Sequence, residues 1–167
     1  MKIVEAMKEL KLTEKKMIKN NNSIQKYSSQ PSNERPYFQD EATQKKEVKN
    51  LLQSNKDLLS NYLALKKKIE KTNLETTIEM DGVKYTISDL LVLKRRLAKI
   101  MIDSFDSMND KSAKQSLMSM RGTDSSIKIE RFYDERERME GLSKWQDFYD
   151  NIDSRLEVVN ATTDIIE

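Results

Sequence analysis

The chain has 167 residues and a mass of 19.6 kDa, with 37% hydrophobic and 35% charged residues, so it suits one domain whose thin core lies along elongated helices. Zero Cys and zero His exclude disulfides, thiol catalysis, Cys-ligated metal, and the commonest general base and metal ligand. The net charge is only +2, but seven Lys face Glu5, Glu9 and Glu14 up to Gln30, whereas ten acids face Arg136, Arg138, Lys144 and Arg155 from Asp134 on. Each of these segments is expected to meet the other, or a neighbouring subunit, before it meets nucleic acid, for which no strong signal exists.

The opening MKIVEAMKELK lacks the apolar core of a signal peptide, and no stretch approaches the roughly 18 uncharged residues of a membrane span. A cytoplasmic location is expected, with a virion as the alternative. The first helix is expected over about residues 2–27, with a stripe of Ile3, Met7, Leu10, Glu14, Met17, Asn21 and Ile24. Residues 28–40, SSQPSNERPYFQD, hold both prolines and read as a loop that Tyr37 and Phe38 pin to the helices.

A second helix, about 41–72, carries Val48, Leu51, Asn55, Leu58, Tyr62, Leu65 and Ile69 in unbroken three-four alternation. Asn55 is the polar exception on that seam, where it either fixes register or oligomer state against a partner's Asn or is tolerated at a bundle edge. Leu52, Leu59 and Leu63 widen the apolar face beyond one seam, so more than one partner helix is expected.

In the segment TTIEMDGVKYTIS the period changes to two. Thr76, Ile78 and Met80 alternate with charge, Asp81-Gly82 suits a type I′ turn, and Val83, Tyr85 and Ile87 continue, which predicts a hairpin over about 76–87. Because an isolated hairpin is marginal in water, it must lie on helices, find further strands or join a neighbouring subunit. Ser88 then caps a third helix, about 88–108, with Leu90, Leu93, Leu97, Met101 and Phe105 on one flank and Leu91, Ala98 and Ile102 on another. Residues 109–125 read as a mobile Ser-rich loop. SIKIERFYD offers a third strand through Ile127 and Ile129.

The last helix, about 140–165, follows the charged run DERERME and Gly141. Its stripe is Leu142, Trp145, Tyr149, Ile152, Leu156, Val159, Thr163 and Ile166. The fold class is therefore mainly α: an antiparallel bundle of long, coiled-coil-like helices with a small β-hairpin, possible as three strands, in a single domain.

Several segments, in this order, resemble a septicolysin-like family of small bacterial proteins: KIVEAMKELK, IEKTNLETTIEMDGVKYTISDLLVLKRRL, SIKIERFYD and SRLEVVNATTDII. The most specific part is Thr72-Asn73, followed by the Gly-containing turn and the Ser88-Asp89-Leu90 helix start. Asn160-Ala161 stands where the family shows Asn-Trp, and the loop at 28–40 has no counterpart. The resemblance implies a small helical protein with a short β element. The family's toxin name carries no mechanism.

No catalytic, cofactor or metal site is read. Asp103, Asp106 and Asp110 match no calcium loop and suit a solvated helix face, while Lys94, Arg95 and Arg96 point in different directions on a helix. The expected function is that of a non-enzymatic, self-associating structural or interaction protein, bacterial or phage-encoded. Its interface residues would be Asn55, Leu58, Tyr62, Leu65, Ile69, Trp145, Tyr149 and Ile152, with Asp81 and Gly82 as the turn. A homo-oligomer is the expected assembly, with other protein subunits as further partners. The alternatives are a membrane-active or pore-forming protein, resting on the cationic first helix, and a virion structural component.

Overall fold

A computed structural model describes residues 1–120 and 126–166. The elements are α1 (Ile3–Tyr27), α2 (Glu41–Glu75), β1 (Thr77–Met80), β2 (Val83–Thr86), α3 (Ile87–Val92), a π-helical turn (Leu93–Leu97), α4 (Ala98–Asp106), α5 (Lys111–Ser119) and α6 (Glu135–Thr162). The protein is mainly α with one antiparallel two-stranded sheet, as the periodicities predict. Two compact units divide the chain: one holds residues up to Thr76 and those from Val159 on, the other Thr77–Val158.

In the first unit, α1 and α2 form an antiparallel hairpin. Asp40 starts α2 by accepting a bond from the Thr43 amide at 2.6 Å, which satisfies one of the donors a helix start leaves free. Ala6, Leu10 and Ile69 form a buried cluster joined by Tyr62, Leu65 and Ile165. The face of α1 differs from the expected stripe, because Ala6 is buried while Met7 is 42% exposed. A small residue lets the two helix backbones approach where Met would hold them apart.

The loop after α1 is pinned as its aromatics suggest. Tyr27 packs on Tyr37 and Phe38, with ring centroids 5.5 and 4.9 Å apart. Gln44 holds the same loop from beneath: it is buried, accepts from the Tyr37 amide at 2.8 Å, and donates to the Tyr27 carbonyl and to Gln30. Three bonds offset the cost of burying that amide.

The last helix ends at Thr162, not near 165. Residues 163–166 leave it to bridge with the chain start. The Ile3 amide donates to the Thr163 carbonyl at 3.0 Å, the Ile165 amide donates to the Met1 carbonyl at 2.9 Å, and the Ile166 amide donates to Thr72 Oγ1 at 2.9 Å.

In the second unit, Thr77, Ile78, Glu79 and Met80 pair with Thr86, Tyr85, Lys84 and Val83. Asp81 and Gly82 take φ values of 52° and 76°, the two positive angles of the expected turn. Several boundaries differ from expectation. Thr86, not Ser88, caps the helix after the hairpin: its Oγ1 accepts from the Asp89 amide at 3.0 Å, while its own amide donates to the Asp89 carboxylate at 2.8 Å. This reciprocal box lets Ile87 enter the helix and become buried.

The helix expected over 88–108 is interrupted by the π-helical turn at Leu93–Leu97. One extra residue in a turn shifts every later side chain around the axis, so Leu97 is 44% exposed and Ala98 is fully buried. Ile127 and Ile129 form no strand, and the sheet has two strands among the described residues. The expected mobile loop is instead a helix over Lys111–Ser119, while residues 121–125 lie outside the described residues. Finally, α6 begins at Glu135 rather than near 140. Asp134 accepts from the Glu137 amide at 2.8 Å, and Glu135 and Glu137 in the first turn complement the helix dipole.

Candidate functional site

The most informative polar group in the first unit is Asn55. Its Nδ2 donates to Asn21 Oδ1 at 2.9 Å, and its Oδ1 accepts from Asn20 Nδ2 at 2.9 Å. Asn20 also donates to Ser54 Oγ at 3.2 Å. The partner of the seam Asn is thus a pair of Asn on α1 of the same chain. Such a bonded amide set on an otherwise apolar seam fixes how two helices slide along each other.

A second polar link lies further along. Tyr62 donates through its hydroxyl to Glu14 Oε1 at 2.7 Å, and that bond to a carboxylate holds the phenol above its ordinary value. Leu58, Tyr62 and Leu65 are half-buried and Ile69 is buried, Tyr62 and Leu65 lying against the Ala6–Leu10–Ile69 cluster. The α2 residues expected at an interface therefore close the α1–α2 hairpin.

What that closure leaves over is a flank of leucines on α2. Leu52, Leu59 and Leu63 are 48%, 47% and 50% exposed. At 3.6 residues per turn they lie about 100° around α2 from the Val48–Ile69 seam. The bonds Asn21–Asn55 and Glu14–Tyr62 mark this same side of the hairpin. On α1 the matching side carries Met7 and Ile18, both exposed. One side of the hairpin is thus an apolar strip built from both helices.

In the second unit, Ile152 is fully buried, whereas Trp145 and Tyr149 are half-buried. Phe148, absent from the expected stripe, is buried and packs on Trp145 and Tyr85 at 5.5 and 5.6 Å. It lies three residues after Trp145, so a stripe shifted by one residue would have found it. Gly141 sits against the Phe105 ring: a Cβ there would fall 2.3 Å from that ring.

In the charged clusters, Asp110 and Lys94 have protein partners. Asp110 accepts from Arg131 at 3.0 Å and pairs with Lys114, and the Arg131 bond holds its carboxyl below the ordinary range. Lys94 pairs with Asp153. In the first unit the basic start meets the acidic end at Lys2 and Asp164, 2.6 Å apart. Among the described residues, no group of three or more acids could hold a metal ion, and no helix is long and apolar enough to cross a membrane.

No protein-family model matches the chain, and no curated protein matches it. A solved structure similar to it is that of a functionally unknown conserved protein from Corynebacterium diphtheriae, with 16% identity, 99% of each chain covered and a TM-score of 0.58. At that identity the likeness shows the fold alone: mainly α with a small β-hairpin.

Proposed function

We propose that the chain is a non-enzymatic, self-associating structural or interaction protein, and that two copies meet on the Leu52–Leu59–Leu63 flank of α2. The observation that carries this reading is the exposure of three leucines spaced seven and four residues apart, on a helix whose other apolar face α1 already covers. That spacing repeats along one side of a helix and matches a partner helix over successive turns.

The flank is also self-complementary. If a second α2 runs antiparallel about a two-fold axis between Lys56 and Leu59, Leu52 faces Leu63 of the second copy. Lys45 then faces its Glu70, and the same contacts repeat in reverse. A two-fold interface requires this reciprocity. Burying three leucines per copy supplies the apolar surface, with each Leu59 against the aliphatic stem of the other copy's Lys56 beside the axis, and the Lys45–Glu70 pairs sit at the rim, where charge sets register more than affinity.

Light scattering at micromolar concentration tests the reading. A mass above 19.6 kDa is expected, falling to one subunit in Leu59→Glu. A wild-type chain of one subunit mass overturns it. The membrane-active alternative predicts leakage of dye from anionic liposomes, which a self-associating module does not cause.

A further inference from the structure

The hairpin tip and α6, both within the second unit, leave between them a recess of about 140 Å³ lined by Asp81, Val83, Tyr85, Lys144, Trp145 and Phe148. Phe148 forms its floor. Tyr85 tilts against that floor at 58°, and Trp145 stands nearly edge-on to it at 75°. Val83, paired with Met80 and on the same face of the hairpin, stays 49% exposed. Beside this recess lies an open basin lined by Asp81, Glu140, Ser143, Lys144 and Asp147. Asp81 lines both hollows.

We propose that this recess binds a quaternary or methylated ammonium group. Three aromatic side chains, Tyr85, Trp145 and Phe148, line this one recess, with Phe148 packed against the other two. A soft cation is attracted to ring faces and loses little hydration on entering such a site. The neighbouring carboxylates supply the charge: Asp81, Glu140 and Asp147 outnumber Lys144, the one cation on the lining, although Glu140 also holds Arg136 at 2.9 Å. An anionic ligand would meet Asp81 in the recess and Glu140 and Asp147 in the adjoining basin. An uncharged apolar one would gain nothing from them. The positive φ values of Asp81 and Gly82 set the turn from which Asp81 lines the recess.

This proposal is independent of the self-association reading, which concerns α1 and α2. Trp145 is the only tryptophan in the chain, so its fluorescence reports on this recess alone. The full chain is titrated with choline chloride at constant ionic strength, and separately with the uncharged isostere in which a carbon replaces the quaternary nitrogen. A saturable change is expected with choline in the millimolar range, and a weak, non-saturating change with the isostere.

Lys144→Ala removes the competing cation and should tighten choline binding several-fold, whereas Glu140→Gln combined with Asp147→Asn should weaken it roughly tenfold. These positions are exposed on α6, so the fold survives and circular dichroism checks it. Tyr85→Leu should abolish saturation. Equal responses to choline and isostere, no saturable response to choline, or indifference to both the Lys144 and the carboxylate changes would each overturn the proposal and leave the rings as packing between hairpin and helix.

Discussion

Asn55 of α2 and Asn21 of α1 share a 2.9 Å hydrogen bond, and with Asn20 on the other side of the same amide they lock one register of the α1–α2 hairpin. Since this bonding lies within one chain, Asn55→Leu should leave the oligomeric mass unchanged. Asn21 is exposed and Asn20 half-buried, so water replaces the lost partner, and the added apolar surface should raise stability by up to about 1 kcal/mol. Thermal melting and light scattering on the variant check both halves, and a changed mass would place Asn55 between subunits instead.

Gly141 provides a sharper test of packing. Glycine inside a helix costs about 1 kcal/mol relative to alanine, so helix propensity alone favours Gly141→Ala. The Phe105 ring, 2.3 Å from where the new Cβ would stand, reverses that expectation. The variant should lose roughly 1 kcal/mol in chemical denaturation. In a Phe105→Leu background the same substitution should become neutral or stabilising. Additive effects of the two substitutions would mean that they do not touch.

At the hairpin tip, a Cβ added to Gly82 meets nothing within 4 Å, so any cost of substitution comes from the backbone at φ 76°. Gly82→Val should destabilise the hairpin by about 1–2 kcal/mol and speed amide exchange from Val83 to Thr86, with the helical circular dichroism retained. Gly82→Asn tolerates the left-handed region and should cost much less. Equal exchange rates in both variants would contradict the turn.

Asp164 is one of the carboxylates expected to contribute to an acid transition, and its contribution is read at the terminal bridge. The Lys2 hydrogen bond, reinforced by the chain's amino terminus, holds its carboxyl below an aspartate's ordinary 3.8. A group depressed in the folded state stabilises it above the unfolded value, and that contribution disappears as pH falls through the lower folded value. Stability should therefore fall below about pH 4, with the Ile3 and Ile165 amides exchanging faster. Asp164→Asn should show the faster exchange at neutral pH already. A variant with unaltered exchange would show that the terminal bridge does not depend on this pair.

The periodicities made the long helices and the hairpin legible, because burial of one helix face or one strand face leaves a repeat in the residues themselves. The register of α1 was less so: Ala6 and Met7 both suit an apolar stripe, and only backbone approach to α2 selects Ala6. The π-helical turn leaves no mark in the sequence, because LKRRL has the composition of ordinary helix, and an added residue there displaces the stripe through Leu97 and Met101. Gln44 leaves none either, since a polar residue in the first turn of α2 gives no sign that Tyr27 at the end of α1 and two loop residues, Gln30 and Tyr37, converge on it. Asn55 stands out by its place on the seam, but the sequence does not distinguish an Asn of a second copy from Asn20 and Asn21 of the same chain.

The absence of cysteine from the chain allows one direct measurement of how copies meet. A single thiol introduced as Lys56→Cys lies next to the two-fold axis of the proposed interface. Lys8→Cys lies on the side of α1 away from α2. With a short bifunctional maleimide at micromolar protein, the Lys56→Cys chain should run as a covalent dimer on a denaturing gel while the Lys8→Cys chain stays at 19.6 kDa. Equal, low cross-linking of the two variants would contradict association through the Leu52–Leu59–Leu63 flank.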